Sequence, residues 1–177
     1  MTAESLARLN AAVRDVPDFP KPGILFKDIT TVLSDGALFS LTIDAIVETL
    51  AGQKVDKIVA IDARGFIFAG AVADRLKAGF VPVRKKGKLP WETIGASYSL
   101  EYGENVIEMH RDALLPGERV WVVDDVLATG GTSAAAAKLV QELGGVLAGM
   151  TFLVELSFLN GRALLPAGVP VHGVLVY

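Results

Sequence analysis

The stretch VWVVDDVLATGGTSAAAAKLV, residues 120–140, decides which fold and which kind of site this sequence predicts. Its first half is rich in valine and predicts a buried β-strand over residues 119–124. Its second half is rich in alanine and predicts a helix over residues 132–143. Asp124 and Asp125 stand between the two, before a Thr-Gly-Gly-Thr turn. Adjacent carboxylates at the end of an apolar strand repel each other, which indicates that cations or hydrogen-bond donors share the site.

The rest of the chain alternates strands with helices in the same way. Apolar spacing predicts helices around residues 6–13 and 43–50, with a proline-rich arm at 18–30 between them. Further predicted elements are strands at 55–61, 79–84, 145–156 and 169–177 and a helix at 66–76. This alternation predicts an α/β fold with a mostly parallel central sheet flanked by helices. A chain of 177 residues suits one domain over residues 1–177.

Composition excludes several classes of function. The 17 basic and 20 acidic residues give a charge of −3, without the basic excess of a nucleic-acid binder. The chain has no cysteine, which excludes disulfides and thiolate metal sites. No stretch approaches the ~20 apolar residues of a membrane-spanning helix, and the first residues do not resemble a signal peptide. We therefore expect a cytoplasmic protein without nucleic-acid or membrane partners.

The turn after the aspartates has the chemistry of a phosphate site. Thr129 and Thr132 supply hydroxyls, and the intervening Gly130 and Gly131 let the backbone approach a ligand at the start of a helix. The stretch lacks the lysine of an ATP-binding P-loop, and no G-x-G-x-x-G follows the first sheet strand. Carboxylates beside a phosphate cradle indicate a sugar phosphate whose hydroxyls bind aspartate, most naturally a phosphorylated ribose.

Residues 84–109 interrupt the alternation with a long polar, glycine-containing excursion. Its composition predicts an exposed, mobile segment, such as a hairpin, rather than a core crossover. It begins with a cluster of cations, namely Arg84, Lys85, Lys86 and Lys88. Such a cluster is either a solvated loop or a site for a polyphosphate.

Several motifs together resemble the adenine phosphoribosyltransferase family of type I phosphoribosyltransferases. VVDDVLATGGT is similar to the signature of the type I enzymes. The other matching segments, in chain order, are PGILFKDIT, ARGFIFAG, VRKKGKLPWETIGASYSLEYG and LVELSFLNGR. The resemblance spans nearly the whole chain and implies the type I fold, with an N-terminal arm in residues 1–33 and a flexible catalytic loop.

The resemblance implies a purine salvage reaction. Adenine and 5-phosphoribosyl-1-diphosphate would give AMP and diphosphate, with Mg²⁺ held mainly by substrate and water, so that no residue is assigned as a metal ligand. It also implies a homodimer in which basic residues of the excursion reach the diphosphate of the neighbouring subunit.

The resemblance further implies a role for individual residues. Asp124, Asp125, Ala128, Thr129, Gly130, Gly131 and Thr132 would bind the ribose phosphate, and Arg64, Arg84, Lys85 and Lys88 the diphosphate. Adenine would contact the backbone of Leu25 and Lys27 and the side chains of Phe26 and Val126. Glu101 would handle a proton on the base, Tyr102 would close over the reaction centre, and Arg64 would hold the leaving group.

The sequence also allows other functions and other roles for these residues. Transferases for 6-oxopurines carry an acid where this chain has Ala128, which weakens that assignment without excluding a xanthine or pyrimidine enzyme. A non-catalytic regulator that binds phosphoribosyl diphosphate is the alternative outside enzymes. Asp124 and Asp125 could instead only cap a helix. Asp62 stands where related sequences often have glutamate, and we expect His110 and His172 to be structural.

Overall fold

The valine- and isoleucine-rich runs form the strands of a central sheet. The computed structural model describes residues 1–99 and 104–177. In chain order the elements are α1 (Ala3–Ala12), β1 (Arg14–Pro17), β2 (Leu25–Asp28), α2 (Thr30–Leu33), α3 (Gly36–Thr49), β3 (Lys57–Ile61), α4 (Arg64–Leu76), β4 (Gly79–Lys85), β5 (Thr93–Ser99), β6 (Glu104–His110), β7 (Arg119–Leu127), α5 (Gly131–Glu142), β8 (Val146–Glu155) and β9 (Val171–Val176). Two short 3-10 helices, Ser157–Leu159 and Gly161–Leu164, join β8 to β9.

The sheet is mostly parallel, as predicted. Its strand order is β5-β6-β4-β3-β7-β8-β9. The five strands from β4 to β9 in this order run parallel, whereas β6 is antiparallel to β4 and to β5. The predicted excursion is therefore a hairpin of β5 and β6 at one edge of the sheet. Strands β3 and β7 are neighbours at its centre, so their carboxyl ends open onto the same crevice.

Helices cover both faces of the sheet. On one face α1, α3 and α4 bury Leu9, Ile46 and Phe68 in a cluster with Trp121. On the other face α5 buries Leu139 in a second cluster with residues of β7 and β8. Because both faces are covered, the strands read as nearly continuous apolar runs. Among the described residues, no helix combines the length and the apolar character needed to cross a membrane.

The arm between the first two predicted helices contains more regular structure than its prolines indicate. Residues of β2 pair with β1 in antiparallel register, from Arg14 opposite Asp28 to Pro17 opposite Leu25. The prolines lie in or beside the connection, where no ladder hydrogen bond requires their missing N–H. At the far end, the Thr30 N–H and the Arg14 guanidinium lower the pKa of Asp28 to about 2.

Three predicted boundaries beside the crevice shift by one to three residues. Strand β7 continues to Leu127 because its last residues pair with β8, so the aspartates lie inside the strand rather than at its end. Helix α4 begins at Arg64, which is the first residue of a helix and not part of a turn. Helix α5 begins at Gly131, after Gly130 with φ of 84° has turned the chain.

Candidate active site

A cleft of about 350 Å³ opens where β3 and β7 end. Its walls come from the segment after β3, the end of β7, and the start of α5. The lining residues are Ile61, Asp62, Ala63, Arg64, Lys85, Tyr98, Ile107, Asp124, Asp125, Val126, Ala128, Thr129, Gly130, Thr132 and Ser133. All of the predicted ribose-phosphate residues except Gly131 therefore line one cleft together with Arg64, although the two segments lie about 60 positions apart in the sequence.

The two aspartates are buried at the floor of this cleft. Asp124 and Asp125 are 8% and 7% exposed. The Asp125 N–H donates to Asp124 Oδ1 at 2.9 Å, and Arg64 Nε lies 2.7 Å from Asp125 Oδ2. Asp125 therefore has a cationic partner, whereas no ion pair of Asp124 is found among the described residues.

Burial raises the pKa of both carboxyl groups. The pKa of Asp124 lies well above its usual range, because of desolvation first and the charge of Asp125 second. Desolvation also raises the pKa of Asp125, and the Arg64 guanidinium opposes that change. Two desolvated carboxylates, of which Asp125 alone pairs with a cation among the described residues, favour a ligand that donates hydrogen bonds, such as the hydroxyls of a ribose.

Gly65 allows helix α4 to approach the aspartates closely. A Cβ atom at this position would lie 2.3 Å from Asp124 Oδ1. Any larger residue would push the start of α4 away from β7. The glycine of the Arg-Gly-Phe motif therefore brings Arg64 within ion-pair distance of Asp125.

The phosphate cradle lies at the other side of the aspartates. Gly130 precedes α5 in a left-handed conformation, and no side chain caps this helix end. The first amides of an α-helix have no partner within the helix, so those of Gly131 and Thr132 are available to an anion. Ser133, the next residue, is largely buried and also lines the cleft. This end of α5 fits a phosphate monoester.

A second, more apolar cavity of about 280 Å³ adjoins the cleft. It lies between the arm and the ends of β7 and β8, and its lining residues are Ile24, Leu25, Phe26, Lys27, Ile29, Arg64, Asp125, Val126, Ala128, Val154 and Leu156. Four of these, Arg64, Asp125, Val126 and Ala128, also line the cleft. The predicted adenine residues are thus next to the predicted ribose-phosphate residues, in surroundings that suit a flat aromatic ring.

Contacts of the arm orient Phe26 and Lys27 differently. The Phe26 ring packs edge-on against Phe19 at 5.2 Å and lies 5.8 Å from the Arg64 guanidinium carbon. The Lys27 ammonium instead binds Asp15 at 2.6 Å and lies 3.9 Å from the centre of the Tyr177 ring. The side chain of Lys27, a residue that lines the second cavity, is thus engaged by Asp15 and Tyr177.

The basic cluster is divided by the structure. Of its four cations, Lys85 lines the cleft, whereas Lys86 and Lys88 are exposed and outside the lining set. Arg84 Nε lies 2.9 Å from Asp62 Oδ2, and its Nη1 donates to the Lys88 carbonyl. Asp62 therefore pairs with Arg84 beside the cleft. Glu101 and Tyr102 lie outside the described residues.

Sequence reasoning missed several lining residues. Tyr98 and Ile107 of the edge hairpin and Ser133 of α5 line the cleft, and Val154 and Leu156 line the second cavity. For Val154 the available signal was its position near the end of β8, where it pairs with Val126 of β7. The others depend on how the hairpin and α5 pack on the sheet.

The two histidines lie away from the cleft. The His172 ring stacks on Trp121 with centroids 6.1 Å apart. His110 ends β6, and its Nε2 is buried without a hydrogen-bond partner among the described residues. Neither belongs to a group of three or more potential metal ligands in the described part of the chain.

Comparison with known proteins identifies the family of this chain. The phosphoribosyl transferase domain matches residues 40–155. An adenine phosphoribosyltransferase of Anaeromyxobacter dehalogenans is 58% identical over 96% of this chain and 98% of its own length. The adenine phosphoribosyltransferase from Rhodothermus marinus, whose crystal structure is known, is 55% identical in sequence to this chain. The two structures superimpose with a TM-score of 0.94 over 99% of this chain and 100% of that one.

A third relative carries ligands. The structure of the Saccharomyces cerevisiae adenine phosphoribosyltransferase, complexed with an imino-altritol bisphosphate and adenine, is 41% identical, with a TM-score of 0.93 over 98% of this chain and 100% of that one. Sequence identity and fold therefore agree over nearly the full length of each relative. This chain belongs to the adenine phosphoribosyltransferase family.

Proposed function

We propose that the protein transfers the 5-phosphoribosyl group of 5-phosphoribosyl-1-diphosphate to adenine, giving AMP and diphosphate in purine salvage. The observation that carries the proposal is the shared wall of the two cavities, formed by Arg64, Asp125, Val126 and Ala128. A reaction that joins a base to C1 of a ribose requires an apolar base site directly beside a polar sugar-phosphate site. The yeast relative, complexed with a sugar-like bisphosphate and adenine, supports the same assignment.

Different residues of the cleft act on the sugar, on the leaving diphosphate and on the 5-phosphate. The bond between C1 and the diphosphate oxygen breaks as the bond between C1 and the adenine nitrogen forms. Positive charge develops on the sugar, and the neighbouring carboxylates of Asp124 and Asp125 stabilise it while holding the ribose hydroxyls. Negative charge develops on the leaving diphosphate, where Arg64 and Lys85 offer cationic donors. The residues from Ala128 to Thr132 hold the 5-phosphate.

Magnesium fits the chemistry of this donor set. The described residues contain no cluster of three metal-binding side chains, and Mg²⁺ commonly takes few protein ligands and keeps several waters. Substrate oxygens would supply most of its ligands, and the carboxylates of Asp124 and Asp125 are hard oxygen donors in the same cleft. When bound, the ion would neutralise charge on the diphosphate as it leaves. The residues of the chain would then position the sugar and the base around that complex.

Glu101 is the proposed acceptor of the proton that adenine loses, with Tyr102 closing over the reaction centre. Glu101→Ala is expected to lower kcat by about 10²–10⁴-fold, the usual contribution of a positioned acid or base. The affinity for phosphoribosyl diphosphate should change little. Glu92→Ala, at an exposed position just before β5 and within the same predicted excursion, is the matched control. A wild-type kcat in the Glu101 variant would remove this residue from the mechanism.

A panel of nucleobases tests the proposed reaction directly. Each base is supplied with phosphoribosyl diphosphate and Mg²⁺, and nucleotide formation is followed. Adenine should exceed hypoxanthine, xanthine and pyrimidines by orders of magnitude, because a site matched to the 6-amino group leaves its polar groups unpaired with a 6-oxo base. Comparable turnover of another base would contradict the adenine assignment. Binding of phosphoribosyl diphosphate without turnover of any base would instead favour a non-catalytic regulator that binds this compound.

We also propose a homodimer. Lys86 and Lys88 are exposed beside the cleft without lining it, and no carboxylate pairs with either among the described residues. They are therefore available to the diphosphate of a second subunit. Sedimentation of the full chain should give twice the monomer mass, and a monomer with full activity would contradict the proposal. The cytoplasmic location stays a prediction, which cell fractionation tests.

A further inference from the structure

A buried carboxylate with a fork-like partner lies outside the cleft, at the end of β8. Glu155 is 5% exposed. Its two oxygens accept from Arg162 Nε at 2.5 Å and from Arg162 Nη2 at 2.6 Å. The remaining terminal nitrogen, Nη1, donates to the Val171 carbonyl at 2.8 Å. Arg162 is thus held by a two-point ion pair and a backbone contact, a geometry that lysine cannot reproduce.

The neighbouring strand leaves space for this pair. A Cβ atom at Gly173 of β9 would lie 2.5 Å from Glu155 Oε2 and 2.8 Å from Glu155 Cβ. A side chain at this position would displace the carboxylate from the guanidinium. The pair therefore depends on glycine in β9 as well as on the two charged residues.

Arg162 belongs to a turn that touches the phosphate cradle. A Cβ atom at Gly161 would lie 2.2 Å from the Ala128 carbonyl oxygen and 3.0 Å from the Gly130 nitrogen. In the reverse direction, a Cβ atom at Gly130 would lie 2.1 Å from the Gly161 carbonyl oxygen. The backbone of Gly161 therefore lies directly against residues 128–130. These residues immediately precede helix α5, whose first amides form the phosphate cradle.

We propose that Arg162 and Glu155 are positioning residues that press Gly161 against residues 128–130 and so hold the cradle in the shape that binds the 5-phosphate. Neither side chain lines the cleft. Their effect passes through the Gly161 backbone, which lies directly against the cradle. The inference rests on the proposed function in one respect, namely that the cradle receives a ribose 5-phosphate.

The deciding variant is Arg162→Lys, which keeps the positive charge beside Glu155 but cannot form the two-point ion pair with its carboxylate. Ribose 5-phosphate binding is measured by calorimetry, together with KM for both substrates, kcat and the melting temperature. We expect the dissociation constant for ribose 5-phosphate and the KM for phosphoribosyl diphosphate to rise about 10-fold or more, because small displacements in a binding site are costly. The KM for adenine should stay within about twofold, since Arg162 does not line the second cavity.

Arg75→Gln is the matched control, because Arg75 forms an ion pair with Asp44 on the surface, at 2.7 Å. It should leave all of these constants unchanged. A folded Arg162→Lys protein with wild-type affinity for ribose 5-phosphate would overturn the inference. So would a lower melting temperature with equal losses toward both substrates, because that pattern indicates a general structural role. Failure of the wild-type protein to bind ribose 5-phosphate would instead overturn the proposed function.

Discussion

Asp124 is an acidic side chain buried within strand β7. It is buried beside a second carboxylate, and its hydrogen bond comes from the Asp125 backbone rather than from a cation. A core position in a β-strand would be more stable with an uncharged residue. The carboxylate therefore has a functional reason, which is its predicted contact with ribose.

Asp124→Asn should raise stability and lower activity. Because burial and Asp125 raise the folded-state pKa of Asp124, its contribution to stability is fully present below the unfolded value and is lost as the pH rises through the folded value. The asparagine variant should thus melt at a higher temperature than wild type at pH 8. The difference should shrink toward pH 4. Melting curves across this range and steady-state rates provide the measurement, and a variant that melts lower at pH 8 would contradict the argument.

Gly130→Ala should weaken binding of ribose 5-phosphate strongly. The residue has φ of 84°, and its Cβ would meet the Gly161 carbonyl at 2.1 Å. Gly117→Ala is the matched control, since Gly117 has φ of 83° with nothing within 4 Å of an added Cβ. Both variants carry the cost of the left-handed conformation, about 1 kcal/mol. Calorimetric titration should give a weaker affinity for ribose 5-phosphate in Gly130→Ala than in Gly117→Ala. Equal affinities would show that the contact with Gly161 is unimportant.

At the scale of elements, the β1–β2 hairpin turns a flexible-looking arm into one wall of a cavity. Its pairing places Leu25, Phe26 and Lys27 opposite the ends of β7 and β8. The Lys27 side chain pairs with Asp15 within the hairpin and also contacts the ring of Tyr177, outside it. The contact with Tyr177 connects the hairpin to the last residue of the chain, after β9.

Phe26→Ala should raise the KM for adenine about 10-fold, through loss of aromatic contact with the base. The KM for phosphoribosyl diphosphate should change much less, because Phe26 lines only the second of the two cavities. Phe80→Ala is the control: Phe80 packs against Phe66 near the amino end of β4, away from the carboxyl ends where the cavities open. Steady-state kinetics with each substrate varied give the answer. Equal increases in both KM values would count against a specific contact with adenine.

At the scale of the whole molecule, the two cavities connect the arm, the sheet and α5. A ligand that fills both should therefore stabilise the folded chain as a unit. AMP at 100 times its dissociation constant should add about 2.7 kcal/mol to the unfolding free energy. This corresponds to a rise of roughly 5–10 °C in melting temperature for a protein of this size.

Inosine monophosphate at the same concentration is the comparison, because it has the same ribose phosphate and a 6-oxo base. It should raise the melting temperature less than AMP, since the adenine cavity distinguishes the two bases. Thermal melts with a series of concentrations of each nucleotide provide the data. Equal shifts would show that the base contributes little to recognition.

The sequence alone determined the parallel α/β sheet and the segments that carry the site. Hydrophobic periodicity and turn chemistry are local properties, so they can be read from neighbouring residues such as Asp124 and Gly131. Only the tertiary structure decided that Lys85 lines the cleft while Arg84 pairs with Asp62, and that Lys27 turns toward Tyr177. It also placed Gly161 against the cradle. These outcomes depend on contacts between residues distant in the chain, which no local pattern records.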